Sequence, residues 1–223
     1  FSRLLGVDGT PKADNVDLGT SVGEVAHVAI TPVGDGWIVA WVEGLRGNAT
    51  VRSLTLDAAG RVRGAASNLA QSAEDVAFVE VIAGTNAALV VWEIPRDAYV
   101  DVIAVPLKPG QTPGAGVVFA RRVLGWGITQ TDGGAAIATL VDASTDATEP
   151  GRTGRVLYAD VDLDGKVSPP VTVSAEATAQ GDLVVTRAGA QTLLAWTDVR
   201  EIDSSVYVAT IDRGGRVVTA PHR

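Results

Sequence analysis

A twelve-residue pattern that returns three times without a gap constrains this chain more than any other feature. It reads Val51-Arg-Ser-Leu-Thr-Leu-Asp-Ala-Ala-Gly-Arg-Val62, then Val156-Leu-Tyr-Ala-Asp-Val-Asp-Leu-Asp-Gly-Lys-Val167, then Val206-Tyr-Val-Ala-Thr-Ile-Asp-Arg-Gly-Gly-Arg-Val217. Alternation puts Leu56, Val161 and Ile211 on one face of a strand and their polar neighbours on the other. Gly60, Gly165 and Gly215 supply the positive φ of a hairpin turn. A shorter relative occurs at Val102 to Gly110, and a second apolar strand precedes each of the four, anchored by Trp41, Trp92, Leu140 and Trp196 at steps of 51, 48 and 56 residues. Turn-rich tetrapeptides such as Val33-Gly-Asp-Gly36 and Thr131-Asp-Gly-Gly134 introduce these strands.

Each period therefore predicts four antiparallel strands in about fifty residues, which is the blade of an all-β propeller. Full blades are expected over 21–72, 73–121, 122–177 and 178–223. Residues 1–20 are expected to carry only the outer two strands of a partial blade. Its inner half would come from an upstream segment or a partner chain, because a bare sheet edge invites another strand. A β-sandwich explains the pattern less well, since sandwiches do not repeat one hairpin at constant spacing.

Composition narrows the function classes. The formal charge is −8, from 26 acidic and 18 basic residues, with no Lys/Arg cluster. Nucleic-acid binding draws on a basic stripe that releases phosphate counterions, so this balance argues against it, as it does against anionic membrane surfaces. No apolar run approaches the roughly 20 residues of a transmembrane helix. Cysteine is absent, which removes disulfides, thiol nucleophiles and Cys–zinc sites. The sequence opens Phe1-Ser2-Arg3, without a start Met, which fits a processed chain or a fragment of a larger protein.

The last period, Leu193-Leu-Ala-Trp-Thr-Asp-Val-Arg200 followed by Val206 to Val217, resembles the LVxWxDxR…IYxxxxDxxGxV repeats of exported proteins and lipoproteins from myxobacteria and related bacteria. The third period departs most from that pattern, with Leu140 at the Trp position. The resemblance implies a propeller outside the cytoplasm, periplasmic or on the outer cell surface, and implies no activity.

Candidate sites follow from the repeat. The acids after each anchor strand are Glu43, Glu93, Asp142 and Asp198, followed in turn by Arg46, Arg96, Arg152 or Arg155, and Arg200. They could form a polar ring at the channel mouth for a sugar or a cation, or a carboxylate pair for glycoside hydrolysis. The simpler expectation pairs each acid with its own Arg, tying down one loop per blade. Asp160-Val-Asp162-Leu-Asp164-Gly165 matches the start of a calcium loop. The sister repeats keep only Asp57 and Asp212 of that set, and Val171 stands where an EF-hand needs Glu, so a solvated turn is the expectation and no cofactor is required. Trp41, Trp92 and Trp196 share one repeat position and are expected in the core; Trp37 and Trp126 stand outside it. His27 and His222 are the only histidines, too few and too poorly placed for a triad.

These features predict a non-catalytic exported propeller acting as a protein-interaction or scaffold module, with a protein partner completing the ring. The alternative is a carbohydrate-binding or carbohydrate-active propeller whose site lies at the channel mouth.

Overall fold

The computed structural model describes residues 3, 5–12, 14–19, 23–44, 47–143, 154–177, 182–198 and 204–223. They form fifteen strands and no helix: β1 (Val25–Val33), β2 (Gly36–Glu43), β3 (Ala49–Asp57), β4 (Val62–Ser72), β5 (Ala77–Ala83), β6 (Ala88–Arg96), β7 (Tyr99–Leu107), β8 (Val117–Thr131), β9 (Gly134–Asp142), β10 (Gly154–Asp162), β11 (Val171–Ala177), β12 (Leu183–Ala188), β13 (Gln191–Asp198), β14 (Ser205–Asp212) and β15 (Val217–His222). The all-β, antiparallel expectation holds. No described helix is long and apolar enough to cross a membrane.

The strands lie in three sheets, ordered β1-β2-β3-β4, β5 through β11 in sequence, and β12-β13-β14-β15. The first and last have the four-strand plan read from the repeat. Between them the pattern differs: β8 runs unbroken over Val117–Thr131, through the expected boundary at 121/122. Residues 1–20 also differ, since those described contain no strand. Leu5 and Pro11 form an isolated bridge there, around a turn in which the Gly6 amide donates to the Thr10 carbonyl at 2.7 Å. Asp8 closes that turn by accepting from the Thr10 amide and hydroxyl.

Two compact units divide the chain, residues 1–94 with 104–117 and residues 95–103 with 118–223. In the first, Val39, Leu54 and Leu56 form a core cluster against which Leu18, Trp37 and Trp41 pack. In the second, Ala136, Ala138, Leu140, Val156 and Tyr158 pack with Leu183, Val185, Leu194, Trp196 and Ile211 in one buried cluster.

The repeated Asp earns its place through the turn. In Asp57, Asp162 and Asp212, Oδ1 accepts two backbone N–H groups, two and four residues on, at 2.9–3.0 Å. The same Asp carbonyl accepts from Gly60, Gly165 and Gly215, whose φ values are 76°, 83° and 77°. Each turn thus has its backbone donors satisfied locally, which is why one short sequence recurs at all three hairpins.

These turns also fix the register of the strands between them. Asp57 faces Gly36, Asp162 faces Gly134 and Asp212 faces Gln191. Counting equal distances from those partners brings Trp41, Thr139 and Trp196 to one position. Leu140, expected to replace Trp in the third repeat, stands one residue beyond it. A slip of one residue turns a side chain to the other face of its sheet.

Candidate functional site

The ladder register does not put Glu43, Asp142 and Asp198 at one repeat position. Glu43 lies opposite Thr50 and Asp198 opposite Ser205, at equivalent positions, and both are buried. The equivalent residue of the third repeat is Val141, opposite Arg155, so Asp142 falls on the other face, opposite Gly154. Asp142 and Glu93 are half-buried. Arg46, Arg152 and Arg200 lie outside the described residues.

Glu43 and Asp142 find partners on other strands. Glu43 binds Arg52 across the β2–β3 ladder, Nη1 to Oε2 at 2.7 Å. Arg96 reaches Asp101 at 3.2 Å. Asp142 accepts the Tyr99 hydroxyl at 2.6 Å, while the Arg122 guanidinium lies 4.5 Å from the Tyr99 ring centroid and the Arg122 amide donates to Asp101. The bond to Asp142 raises the Tyr99 pKa above its ordinary value, with burial adding to it. This knot holds β7 and β8 in place within the second unit.

Asp160 and Asp162 of the calcium-loop-like segment take part in local structure. Asp160 accepts the Tyr158 hydroxyl at 2.7 Å, and Asp162 caps its own turn as Asp57 and Asp212 do. Burial, then the bond to Asp160, pushes the Tyr158 pKa up. The Asp164 amide belongs to the same turn. Among the described residues no group of three or more His, Asp or Glu is placed to hold a metal ion.

What the sequence missed is the open face of the first sheet. Trp92 and Trp196 are 1% exposed, as expected of core. Trp41 is only half-buried and lines a groove of about 410 Å³. Val28, Val39 and Leu54 extend its apolar floor, and Leu18 and Gly19 form a wall. The Arg52 guanidinium sits 5.7 Å from the Trp41 ring centroid, a cation–π contact, and its ion pair with Glu43 closes the polar end. Arg52 Nε is buried with no hydrogen-bond partner among the described residues. A second hollow, shared through Glu43 and Arg52, continues toward Asn48, Thr50 and Asn68. The signal for this site was in the sequence at Arg52, a charge in a strand position where the fourth repeat has Tyr207.

No family model matches the chain, and no curated protein matches it. Solved structures resemble it distantly. A thermostable family-43 glycoside hydrolase is 12% identical, with 89% of this chain and 72% of that one covered and a TM-score of 0.49. Cobalt-substituted Synechocystis ACO is 13% identical, with 98% and 55% covered and a TM-score of 0.47. The α-L-arabinofuranosidase PaAbf62A from Podospora anserina, in complex with cellotriose, is 12% identical, with 98% and 71% covered and a TM-score of 0.44. This chain spans about half the length of the ACO chain. None of these likenesses assigns an activity.

Proposed function

We propose that this chain is a carbohydrate-binding module of propeller type whose site is the Trp41 groove of the first sheet. The observation that carries this reading is the placing of a half-buried indole beside an Arg–Glu pair in an otherwise apolar groove. A sugar ring has apolar C–H faces and an equatorial rim of hydroxyls. The indole offers a flat apolar surface to the former, and the rim meets fixed charged donors and acceptors. Glycoside hydrolysis uses two carboxyl groups across the scissile bond. Among the described residues Glu43 is the one carboxylate lining the groove, and it is held by Arg52, so the reading is binding rather than cleavage. A place outside the cytoplasm belongs to this proposal and rests on the resemblance of the last repeat.

A glycan array probed with the chain tests it. Binding to a restricted set of glycans, lost in Trp41→Ala and retained in Trp126→Ala, supports the reading. Uniform absence of binding, or equal binding by both variants, refutes it.

A further inference from the structure

The groove that holds Trp41 does not stop at the ion pair. A hollow of about 310 Å³ lies beyond Glu43 and Arg52, lined also by Asn48, Thr50 and Asn68. Both hollows belong to the first sheet and to one compact unit. The ladders show how their common face is built. Val39 pairs with Leu54, Trp41 with Arg52, and Glu43 with Thr50, so three rows of side chains cross β2 and β3 on the same side. On β4 the Arg52 row continues into Asn68 and the Thr50 row into Gln71. The face therefore grades along the strands, from aliphatic side chains through an indole to hydroxyl and amide groups.

Length follows from the strand. Leu54, Arg52 and Thr50 are alternate residues of β3, about 14 Å from first to last at the usual rise. A single pyranose ring can cover the indole but not three rows.

Charge follows from the same ladders. Among the described residues lining either hollow only Glu43 and Arg52 are charged, and they bind each other at 2.7 Å. Asp17, beside the Leu18–Gly19 wall, accepts the Gly19 amide at 2.9 Å. An anionic ligand would have to compete with Glu43 for Arg52, and would set its own charge against that carboxylate. The remaining polar groups are neutral. Asn68 is exposed, Thr50 is half-buried, and the Asn48 carboxamide is held by Gln71 Nε2 at 3.1 Å. Such hydroxyl and amide groups both donate and accept, as sugar hydroxyls do.

We propose that this face binds a neutral, linear oligosaccharide of two or more equatorially linked pyranoses, lying along β3 with one ring on Trp41 and the next over Thr50 and Asn68. Equatorial linkages keep such a chain extended and flat, the shape that a row-by-row face on a strand accepts. The inference rests on the sugar reading and adds to it the length and charge of the ligand.

Isothermal titration calorimetry of the whole chain with glucose, cellobiose and cellotriose tests it, since every ring substituent of that series is equatorial. The same sugars with their primary hydroxyls oxidised to carboxylates form the acidic set. Cellotriose should bind about fivefold or more tightly than glucose, the gain from one added neutral hydrogen bond, and the oxidised chains should bind more weakly than the neutral ones. Asn68→Ala should bring the cellotriose affinity back toward that of glucose, with unchanged far-ultraviolet circular dichroism. Trp41→Ala should remove binding of all three. Equal affinities for the three neutral sugars overturn the proposal and leave the sugar reading standing. So do oxidised chains that bind as tightly as neutral ones, or an Asn68→Ala variant that keeps the full gain with length. Absence of binding by the neutral series also overturns the proposal; the sugar reading falls with it only if no glycan on the array depends on Trp41.

Discussion

Arg52 stands directly across the β2–β3 ladder from Trp41, at the register where Tyr207 stands across from Trp196 in the β12–β15 sheet. The two pairs use the same geometry for different ends. Trp196 and Tyr207 stack at 6.1 Å inside a buried cluster. Arg52 lies 5.7 Å from Trp41 and turns its charge to Glu43, whose side chain is 8% exposed against 24% for Arg52. The same ladder position thus holds half of a core pair in one sheet and half of a polar site in another.

Replacing Arg52 with Ala removes both the ion pair and the cation–π contact, and leaves the Glu43 carboxylate without its guanidinium partner. The expected loss is about 2 kcal/mol of unfolding free energy, the usual cost of breaking a partly buried charged hydrogen bond. Urea titration should show a lower midpoint with an unchanged slope. Arg52→Lys keeps the charge but not the planar fork, and should fall between the two.

The Asp turns make stability depend on acid. Hydrogen bonds from the Arg61 and Arg216 backbone, above all, hold the carboxyls of Asp57 and Asp212 below the ordinary value of 3.8. A carboxyl whose pKa is lower folded than unfolded adds stability that is complete above the unfolded value. That stability is lost as pH falls through the folded one. Thermal melts should therefore be flat near neutrality and drop as pH falls below about 4. The double variant Asp57→Asn, Asp212→Asn should show a shallower drop. An equal slope in both proteins would remove these turns as the cause.

Gly36 faces Asp57 at the end of the β2–β3 ladder, and a Cβ there would strike the Leu56 carbonyl oxygen. Backbone cannot swing aside as a side chain can, so Gly36→Ala should cost about 2–3 kcal/mol, the range of overpacked sites. At Gly133 a Cβ meets nothing within 4 Å, so Gly133→Ala should be nearly neutral. Paired chemical-denaturation curves decide this.

Much of the fold was legible because its signals are local. Alternating apolar residues and the Asp–Gly turns made β9 and β10, β13 and β14, and the hairpin between β3 and β4 readable. Register was harder. The Trp anchor was carried to Leu140, one residue past the position the turns define, and with it Asp142 was read as an equivalent of Glu43. Bulges add to this: the β1–β2 register shifts between Ala26 and Ala29, where His27 has a φ of 50°, and the β5–β6 register shifts at Phe78, with a φ of 54°. Neither residue type announces a positive φ. The site was hidden for another reason. Trp41 and Trp196 share a repeat position, and sequence cannot tell which of them a neighbouring sheet covers.

Indole nuclear magnetic resonance tests the central claim most directly. The chain has five Trp residues, hence five indole N–H signals to follow during titration with oligosaccharides selected by the glycan array. Because Trp92 and Trp196 are buried, their signals should stay fixed, while the Trp41 signal moves to saturation and disappears from the spectrum of Trp41→Ala. Saturable binding that leaves the Trp41 signal unmoved would contradict the account, as would the absence of any shift.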